Sequence, residues 1–189
     1  MLRRHYNGCV SFDIRRFEKS DFESLWKIDQ ECFDPQLAYS RPELAFYMRR
    51  PSAFTLVAEQ NAIGLNAPPE NFTSGKSVVE PKILGFIVAE GRRQTGHIIT
   101  IDVIAEARRL GVGSALLNAA ENKLRENGAL AVELETAVNN EAAIRFYKQR
   151  GYFVEKTVRG YYSNHLDALV MSKAFSESRI EVEGRSSAS

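Results

Sequence analysis

The stretch between His97 and Leu124 limits the possible fold more than any other part of the chain. It begins with a short apolar run that contains Ile98, Ile99, Ile101 and Val103, which favours a β-strand. A compact basic turn with two glycines follows, and apolar residues then recur at helical spacing at Ala115, Leu116, Leu117, Ala120 and Leu124. The stretch therefore predicts a strand, a glycine loop and a helix with one buried face.

The loop from Arg108 to Ser114 predicts a binding site for a phosphorylated ligand. The first turn of a helix has N–H groups without intrahelical partners, and the helix dipole favours an anion there. Glycine lets a ligand approach the backbone because no Cβ intervenes, and Arg108 and Arg109 add positive charge. We expect the backbone amides of Arg109, Leu110, Gly111, Val112, Gly113 and Ser114 to hold the phosphate. A lone G-x-G also occurs in turns that serve packing only, so the motif by itself leaves both interpretations open.

Known nucleotide motifs and composition exclude several classes of protein. The loop lacks the third glycine of the dinucleotide fingerprint and the G-K-[ST] of the P-loop. A formal net charge of +1 provides no overall attraction to nucleic acid or a membrane surface. The two cysteines, Cys9 and Cys32, form no C-x-x-C pair, so we expect no metal site and infer no disulfide. Without an apolar run of about 20 residues or a secretory signal, a cytoplasmic location without membrane contact is expected.

Periodicity predicts seven strands and four helices. The strands are Cys9–Phe17, Phe54–Glu59, Ile83–Glu90, Gly96–Ile104, Leu130–Thr136, Tyr152–Val158 and Ala168–Ser172. The helices run from Phe22 to Phe33 with Ser20 as N-cap, from Arg41 to Arg49 with Ser40 as N-cap, from Ser114 to Asn127, and from Asn140 to Arg150. Antiparallel meander strands followed by a β-α-β crossover predict an α/β fold with a mixed sheet and helices on both faces.

The domain organisation follows from the positions at which the apolar periodicity of strands and helices ends. The length of 189 residues predicts one domain, over residues 1–175. Residues 61–81 are rich in Asn, Gly, Pro and Ser without a clean apolar period, which is typical of a loop insertion between two hairpin strands. Residues 176–189 are charged and serine-rich, and we expect a flexible tail there.

Three blocks between Ile101 and Met171 resemble the GNAT acetyltransferase superfamily, and in particular the RimI-type ribosomal-protein alanine N-terminal acetyltransferases. The first is Ile101-Asp-Val103 followed by Arg108-x-x-Gly111-x-Gly113-Ser114. The second runs from Leu134-Glu-Thr through Asn140 to Tyr147 and Gly151-Tyr152, and the third is Tyr161-Tyr162 with Ala168 and Met171 downstream. The chain departs from the family pattern at Ala105, where proline is usual, and at Tyr152, where phenylalanine is usual. Together the blocks cover less than half of the chain, and the resemblance implies the GNAT acyl-CoA N-acyltransferase fold.

The resemblance implies acetyl-CoA as co-substrate and assigns residues to it. The Arg108–Ser114 loop corresponds to the family's pyrophosphate loop. The backbone of Ile101, Asp102 and Val103 would pair with the pantetheine arm as a neighbouring strand does. Asn140 would contact the cofactor, although an asparagine at this position can equally serve only as the cap of its helix.

The resemblance also implies the catalytic and acceptor residues. Glu135, at the end of the fifth predicted strand, corresponds to the RimI-type general base, and Tyr147 corresponds to the general acid that protonates the CoA thiolate. Asp102 is a rival base because its strand borders the thioester in this superfamily. Tyr161 and Tyr162 correspond to peptide-binding tyrosines, and the loop from Pro35 to Tyr39 to the region that receives the acceptor's first residue. His97 and His165 are single histidines, which more often serve packing or the surface.

Three functions remain open at the level of sequence. The first is acetylation of the α-amine of a protein N-terminus, possibly on a ribosomal protein, with an N-terminal peptide as partner. The second is a GNAT enzyme for lysine, a polyamine or another small amine, and the third is an acetyl-CoA-binding module without catalysis. Paired tyrosines together with Glu135 favour a peptide, whereas clustered acidic residues at the acceptor site would favour a polyamine. The sequence does not determine the oligomeric state.

Overall fold

A single mixed sheet organises the chain, whose computed structural model describes residues 5–7, 10–61, 82–162 and 165–175. Within these residues, eight strands follow the order β1-β2-β3-β4-β5-β6-β8-β7. The strands are β1 (His5–Asn7), β2 (Val10–Arg16), β3 (Ala53–Gln60), β4 (Ile83–Arg92), β5 (Thr95–Val103), β6 (Ala131–Ala137), β7 (Phe153–Val158) and β8 (Ala168–Ala174). β5 and β6 pair in parallel, while the other neighbours pair antiparallel. The predicted mixed sheet is therefore confirmed.

Four α-helices flank this sheet at the predicted places. They are α1 (Phe22–Cys32), α2 (Arg41–Met48), α3 (Val112–Glu126) and α4 (Glu141–Lys148). Ser40 and Glu43 form the capping box of α2, and the Asn140 side chain accepts a hydrogen bond from the Ala143 amide to cap α4, at 3.1 Å. The predicted N-caps Ser40 and Asn140 are therefore confirmed. None of the helices in the described ranges combines the length and apolar character that a membrane span requires.

The structure corrects the prediction at three places. Ser20 is not the N-cap of the first helix, because Lys19–Asp21 forms a 3-10 turn whose capping box joins Glu18 to Asp21. Asp21 is held there by two hydrogen bonds from the Arg15 guanidinium, at 2.7 and 2.9 Å, so the chain turns earlier than the serine indicates. The third helix begins at Val112 rather than Ser114. The three-residue strand β1 was not predicted, because so short a segment carries no periodicity.

Some predictions concern residues outside the described ranges. The tail, residues 176–189, lies outside them, as does all of the predicted insertion except Asn61. Cys9 also lies outside. The assignment of residues 1–175 to one domain stays a prediction.

The main core lies between α3 and the central strands. Val112, Leu116, Leu117, Ala120 and Leu124 of α3 are fully buried, and the helix packs against β2, β3, β4 and β5. Gly96 on β5 gives Leu124 its space, since a Cβ at Gly96 would lie 2.5 Å from a Leu124 methyl group. This packing places the N-terminus of α3 at the end of β5.

The tyrosine at position 152 belongs to a buried polar network. Its hydroxyl donates to Glu121 of α3 at 2.9 Å, and the Lys173 ammonium donates to the other oxygen of Glu121 at 2.7 Å. Phenylalanine at position 152, as the family pattern has it, would leave this buried carboxylate with one donor fewer. The departure from the pattern therefore has a structural reason.

We expect Gly85→Ala to destabilise the protein. A Cβ at Gly85 would overlap the Asp102 carbonyl oxygen in the neighbouring strand, so the backbone of β4 or β5 must shift. The free energy of unfolding in urea should fall by about 1–3 kcal/mol. The control is Gly91→Ala on the same strand, where a Cβ meets nothing within 4 Å and the change should stay within about 0.5 kcal/mol. Equal effects of the two substitutions would contradict this account.

Candidate active site

A cleft opens where β5 and β6 separate. Their parallel pairing covers four residue pairs and ends at Ile98 and Leu134. Beyond this point β5 continues to Val103 on β4, and β6 continues to Ala137 on β8. The resulting cleft has a volume of about 1140 Å³. The diverging strands leave backbone groups that can pair with an extended ligand, as another strand would.

One end of the cleft is built to receive an anion. Gly111, at φ 86°, is the N-cap of α3, and Arg109 also has a left-handed backbone, at φ 62°. The first intrahelical bond of this turn runs from the Ala115 amide to the Gly111 carbonyl, at 2.9 Å. The preceding amides of the turn therefore have no intrahelical acceptor, and the first turn of α3 contains no acidic side chain. This end can donate several backbone hydrogen bonds to a phosphate group.

Most of the residues predicted to bind the co-substrate line this cleft. They are Ile101, Asp102, Val103, Arg108, Arg109, Gly111, Gly113, Ser114 and Asn140. Leu110 and Val112 are not among the lining residues, and the Val112 side chain is fully buried in the core. Val112 can therefore contact a phosphate only through its backbone amide. The prediction for this loop likewise assigns phosphate binding to backbone amides.

Arg150, just after α4, adds a cation to the same end of the cleft. Its guanidinium donates to the Ser114 hydroxyl and, at 2.8 Å, to the Phe146 carbonyl, and it stacks over the Phe146 ring at 3.7 Å. No carboxylate among the described residues forms an ion pair with it. Partial burial lowers the pKa of Arg150, so a phosphate nearby would compensate the cost of burying its charge. The sequence pattern predicts Arg150 at the end of a helix and indicates no role for it.

Glu135 lies on β6 directly after the point of separation. One carboxylate oxygen lies 2.7 Å from Nε2 of His97, which is nine-tenths buried on β5. Burial acts to raise the pKa of Glu135, but the hydrogen bond and charge of His97 outweigh it, and the pKa lies below its usual value. The cleft therefore presents an ionised carboxylate next to the strand end. A single histidine at position 97 predicts only a packing or surface residue, although pairing of the fourth and fifth predicted strands would place it near Glu133 and Glu135.

Tyr147 faces the same cleft from α4. Its side chain is almost fully buried and packs edge-on against Phe146 and at a tilt against Tyr152. Burial, reinforced by the nearby charge of Asp102, raises the pKa of Tyr147 above its usual range. The hydroxyl is consequently protonated at neutral pH and can act as a proton donor.

Asp102, the rival base, is buried and differs from Glu135 in its electrostatic state. One of its oxygens accepts from the Thr100 hydroxyl at 3.1 Å, and the other has no hydrogen-bond partner among the described residues. Burial and the charge of Asp29 raise the pKa of Asp102 well above its usual value. The environment of Asp102 thus favours its neutral form, whereas that of Glu135 favours the carboxylate, and only a carboxylate can take a proton from an amine.

Aromatic side chains surround the other end of the cleft. Tyr39 and Tyr162 line it, whereas Tyr161 does not. Tyr161 packs edge-on against Tyr162, with 5.0 Å between the ring centroids, and is half exposed. Tyr39 is anchored through its backbone amide, which donates to Asp29 at 2.8 Å. Burial raises the pKa of Asp29 to about 6 and that of Tyr162 to about 12. The loop between α1 and α2 thus meets the β7–β8 connection across this end.

The fold provides a cleft of the shape and charge that suit an extended ligand with a phosphate group at one end. Residues 22–152 match the Acetyltransferase (GNAT) family, and the chain belongs to this family. The protein is therefore an acetyltransferase that uses acetyl-CoA, and the resemblance of its sequence blocks to this superfamily is confirmed.

Relatives agree with this assignment over different lengths. An uncharacterized N-acetyltransferase of Methanocaldococcus jannaschii is 30% identical over 161 residues, which are 85% of this chain and 90% of that protein. An N-alpha-acetyltransferase of Sulfurisphaera tokodaii is 41% identical over 78 residues, which are 41% of this chain and 47% of that protein. The match thus spans about half the length of this second relative.

Solved structures share the fold over nearly their whole length. Ard1 from Thermoplasma volcanium superposes with a TM-score of 0.69 at 28% identity, over 88% of this chain and 99% of that one. The ribosomal-protein-S18-alanine N-acetyltransferase from Escherichia coli superposes with a TM-score of 0.70 at 20% identity, over 92% and 99%. At 20% identity, the similarity to the Escherichia coli enzyme shows a shared fold only.

Arg150→Gln tests the anion-binding end of the cleft. Loss of the guanidinium should raise the KM for acetyl-CoA about tenfold, the effect of losing one charge-assisted hydrogen bond of about 1.4 kcal/mol. The kcat should change little, since Arg150 lies with the phosphate loop. Arg125→Gln, at the opposite end of α3, is the control and should leave the KM unchanged. An unaltered KM in Arg150→Gln would show that this arginine serves only Ser114 and Phe146.

Proposed function

We propose that this acetyltransferase modifies the α-amine of protein N-termini. The observation that carries the proposal is the convergence of Glu135 from β6 and Tyr147 from α4 on one cleft, whose other end is lined by Tyr39 and Tyr162. Named relatives that act as N-alpha-acetyltransferases support the choice of acceptor. A ribosomal protein as the substrate, and the cytoplasm as the place of the reaction, are the more specific parts of this hypothesis.

The reaction requires a neutral amine. The carboxylate of Glu135 produces it by taking a proton from the ammonium group of the substrate. A peptide α-ammonium has a pKa of about 7.7–8.0, so only a modest driving force is needed to remove its proton near neutral pH. Glu135 takes this proton through a bridging water, since its lowered pKa keeps it available as a carboxylate. A lysine side chain, with a pKa of about 10.4, would be deprotonated less readily by the same group.

Tyr147 completes the transfer by protonating the sulfur atom that leaves. The neutral amine forms the new C–N bond at the acetyl carbon, the C–S bond then breaks, and the leaving thiolate needs a proton. The buried Tyr147 hydroxyl donates it, and the second proton of the attacking nitrogen restores the tyrosine. When the amine enters as an ammonium ion, one proton is released to the solvent in each turnover. It is the proton that Glu135 has taken.

The acceptor end of the cleft favours a peptide over a polyamine. The hydroxyls of Tyr39 and Tyr162 can hydrogen-bond a peptide backbone. The described carboxylates along the cleft are Asp34, Asp102 and Glu135, of which Asp102 is buried and Glu135 is paired with His97. This arrangement lacks the clustered free carboxylates that would attract several ammonium groups.

A panel of acceptors tests the proposal directly. CoA release is measured with peptides of varied first residue, with the same peptides blocked at the α-amine but carrying an internal lysine, and with spermidine. The free N-terminal peptides should give a kcat/KM at least tenfold above the others. A preference for lysine or spermidine would overturn the proposal, and cofactor binding without turnover on any amine would indicate a binding module.

Tyr147→Phe tests the role of the general acid. Loss of the hydroxyl should lower kcat about a hundredfold, the order of magnitude of general acid catalysis, while the KM for acetyl-CoA stays within twofold. Tyr152→Phe removes a second buried tyrosine hydroxyl nearby, which contacts Glu121 instead, and serves as the control. It should reduce stability without a comparable loss of kcat. An unchanged kcat in Tyr147→Phe would remove its assignment as the acid.

A further inference from the structure

A pocket outside the catalytic cleft lies along α2. It has a volume of about 570 Å³, and no acidic side chain lines it. Its lining residues are Phe22, Arg41, Pro42, Ala45, Phe46, Arg49, Arg50 and Pro51. The side chain of Phe46 is 60% exposed, more than any other large apolar side chain in the described ranges. Arginine and aromatic side chains are enriched where proteins contact their partners, so this pocket is a candidate binding surface.

An aromatic path joins this pocket to the acceptor end of the cleft. Tyr39, which lines the cleft, packs at a tilt against Tyr47 of α2, with 5.1 Å between the ring centroids. Tyr47 in turn packs edge-on against Phe46, at 5.6 Å. About three residues of extended chain, at about 3.3–3.6 Å each, span these two steps. A peptide whose first residue lies in the cleft can therefore reach Phe46 with about its fourth residue.

Arg50 and Arg92 share a single carboxylate beside this path. Glu90 accepts a hydrogen bond from Nη1 of Arg50 at 2.9 Å and another from Nε of Arg92 at 2.6 Å. Two guanidinium charges therefore face one carboxylate charge, and one positive charge stays uncompensated. The guanidinium carbon of Arg50 also lies over the rings of Phe46 and Tyr47, at 5.3 and 5.1 Å from their centroids. The excess charge is thus located at the aromatic path.

Arg49 adds a second positive charge at the pocket. Its side chain is exposed, lines the pocket and forms no ion pair with a described residue. Arg41, by contrast, is neutralised by Glu23 at 2.7 Å. The residues that carry the excess charge and the rings between them form an arginine–aromatic strip, which consists of Phe46, Tyr47, Arg49, Arg50 and Arg92. Its charge suits a ligand with acidic groups.

We propose that the arginine–aromatic strip binds the acceptor polypeptide downstream of its reacting N-terminus, with a preference for acidic residues at about its fourth to sixth positions. The acceptor chain continues from the cleft along the strip, where its carboxylates face Arg49 and Arg50 and an apolar side chain covers Phe46. This inference rests on the proposed function, because it requires a protein N-terminus in the cleft.

A polypeptide suits this surface better than a phosphorylated ligand does. The N-terminus of α2 carries the acidic Glu43, whose side chain completes the capping box with Ser40 and disfavours an anion there. The strip instead offers exposed rings and guanidinium groups in one continuous line from the cleft. A chain that leaves the cleft must cross such an adjoining surface, and the aromatic path supplies it.

Acceptor peptides of equal length test the preference for acidic residues. The peptides share their first three residues and carry aspartate and glutamate, serine and glutamine, or lysine at positions 4–6. At low ionic strength, kcat/KM from CoA release should be about fivefold higher for the acidic than for the neutral peptides, since exposed ion pairs contribute only modestly. The lysine peptides should be the poorest, and added salt should reduce the differences. Equal kcat/KM values would overturn this proposal and leave the proposed function intact.

Substitutions of Arg49 test whether the preference comes from the strip. Each value is divided by that for a three-residue acceptor on the same protein, which cancels effects on folding and on acetyl-CoA binding. Arg49→Gln should reduce the fivefold preference to about twofold, and Arg49→Glu should abolish it, because the excess charge falls stepwise. Arg125→Gln is the matched control, since Arg125 also lies over an aromatic ring, that of Phe175 at 5.1 Å, and it should keep the preference. A full preference in Arg49→Glu would overturn the proposal.

Phe46→Ala tests the aromatic part of the strip. Loss of the exposed ring should raise the KM for the longer peptides about threefold, whatever their charge, relative to the three-residue acceptor. Phe153→Ala removes a ring of similar exposure, 55%, from β7 and should leave this ratio unchanged. Equal ratios in the two variants would contradict a route over Phe46.

Direct binding separates a failure of this proposal from a failure of the proposed function. Fluorescence polarisation is measured with the same peptides, acetylated at the N-terminus and labelled at the C-terminus, in the presence of CoA. The acidic peptide should bind about fivefold more tightly than the neutral one, and this result does not depend on turnover. If no free peptide α-amine is acetylated, the proposed function fails, whereas the binding measurement still decides on the strip. Equally tight binding with the acidic residues moved to positions 14–16 would indicate a separate partner segment and would overturn the proposal.

Discussion

The separation of β5 from β6 is the constraint on which the rest of the molecule depends. Paired strands satisfy each other's backbone groups, so a sheet has no room for a ligand between them. Here the pairing ends at Ile98 and Leu134, because β5 follows β4 while β6 follows β8. The open cleft exposes the backbone of the strands to an extended ligand. The N-terminus of α3 lies at one end of this cleft and Glu135 at the other.

The two ends of the cleft differ in charge, and each suits a different chemical group. At the mouth of α3, unpaired amides and arginines surround a region that contains no acidic side chain in the first helical turn. At the strand ends, Glu135 is ionised beside His97, while Asp102 lies in a buried environment that raises its pKa. Burial and hydrogen-bond partners thus shift the pKa values of two carboxylates in one cleft in opposite directions.

Sequence periodicity predicted the elements well because each depends on local properties. Alternation, helical spacing and capping residues are short-range patterns, and Ser40 and Asn140 behave as their local sequence indicates. Ser20 fails as a cap because Arg15, on a neighbouring strand, binds Asp21 and starts the turn earlier. The strand β1 was missed because three residues are too few to show a period.

The amino-acid sequence by itself determined the strand–loop–helix unit, the glycine positions and the family blocks that carry Glu135 and Tyr147, since these depend on neighbours within a few residues. Only the tertiary structure decided which side chains meet across the sheet. His97 contacts Glu135 from 38 residues away, and Arg150 contacts Ser114 from 36 residues away. Such contacts depend on the register of a parallel strand pair and on the position of the segment after α4 beside the start of α3, which no local pattern specifies.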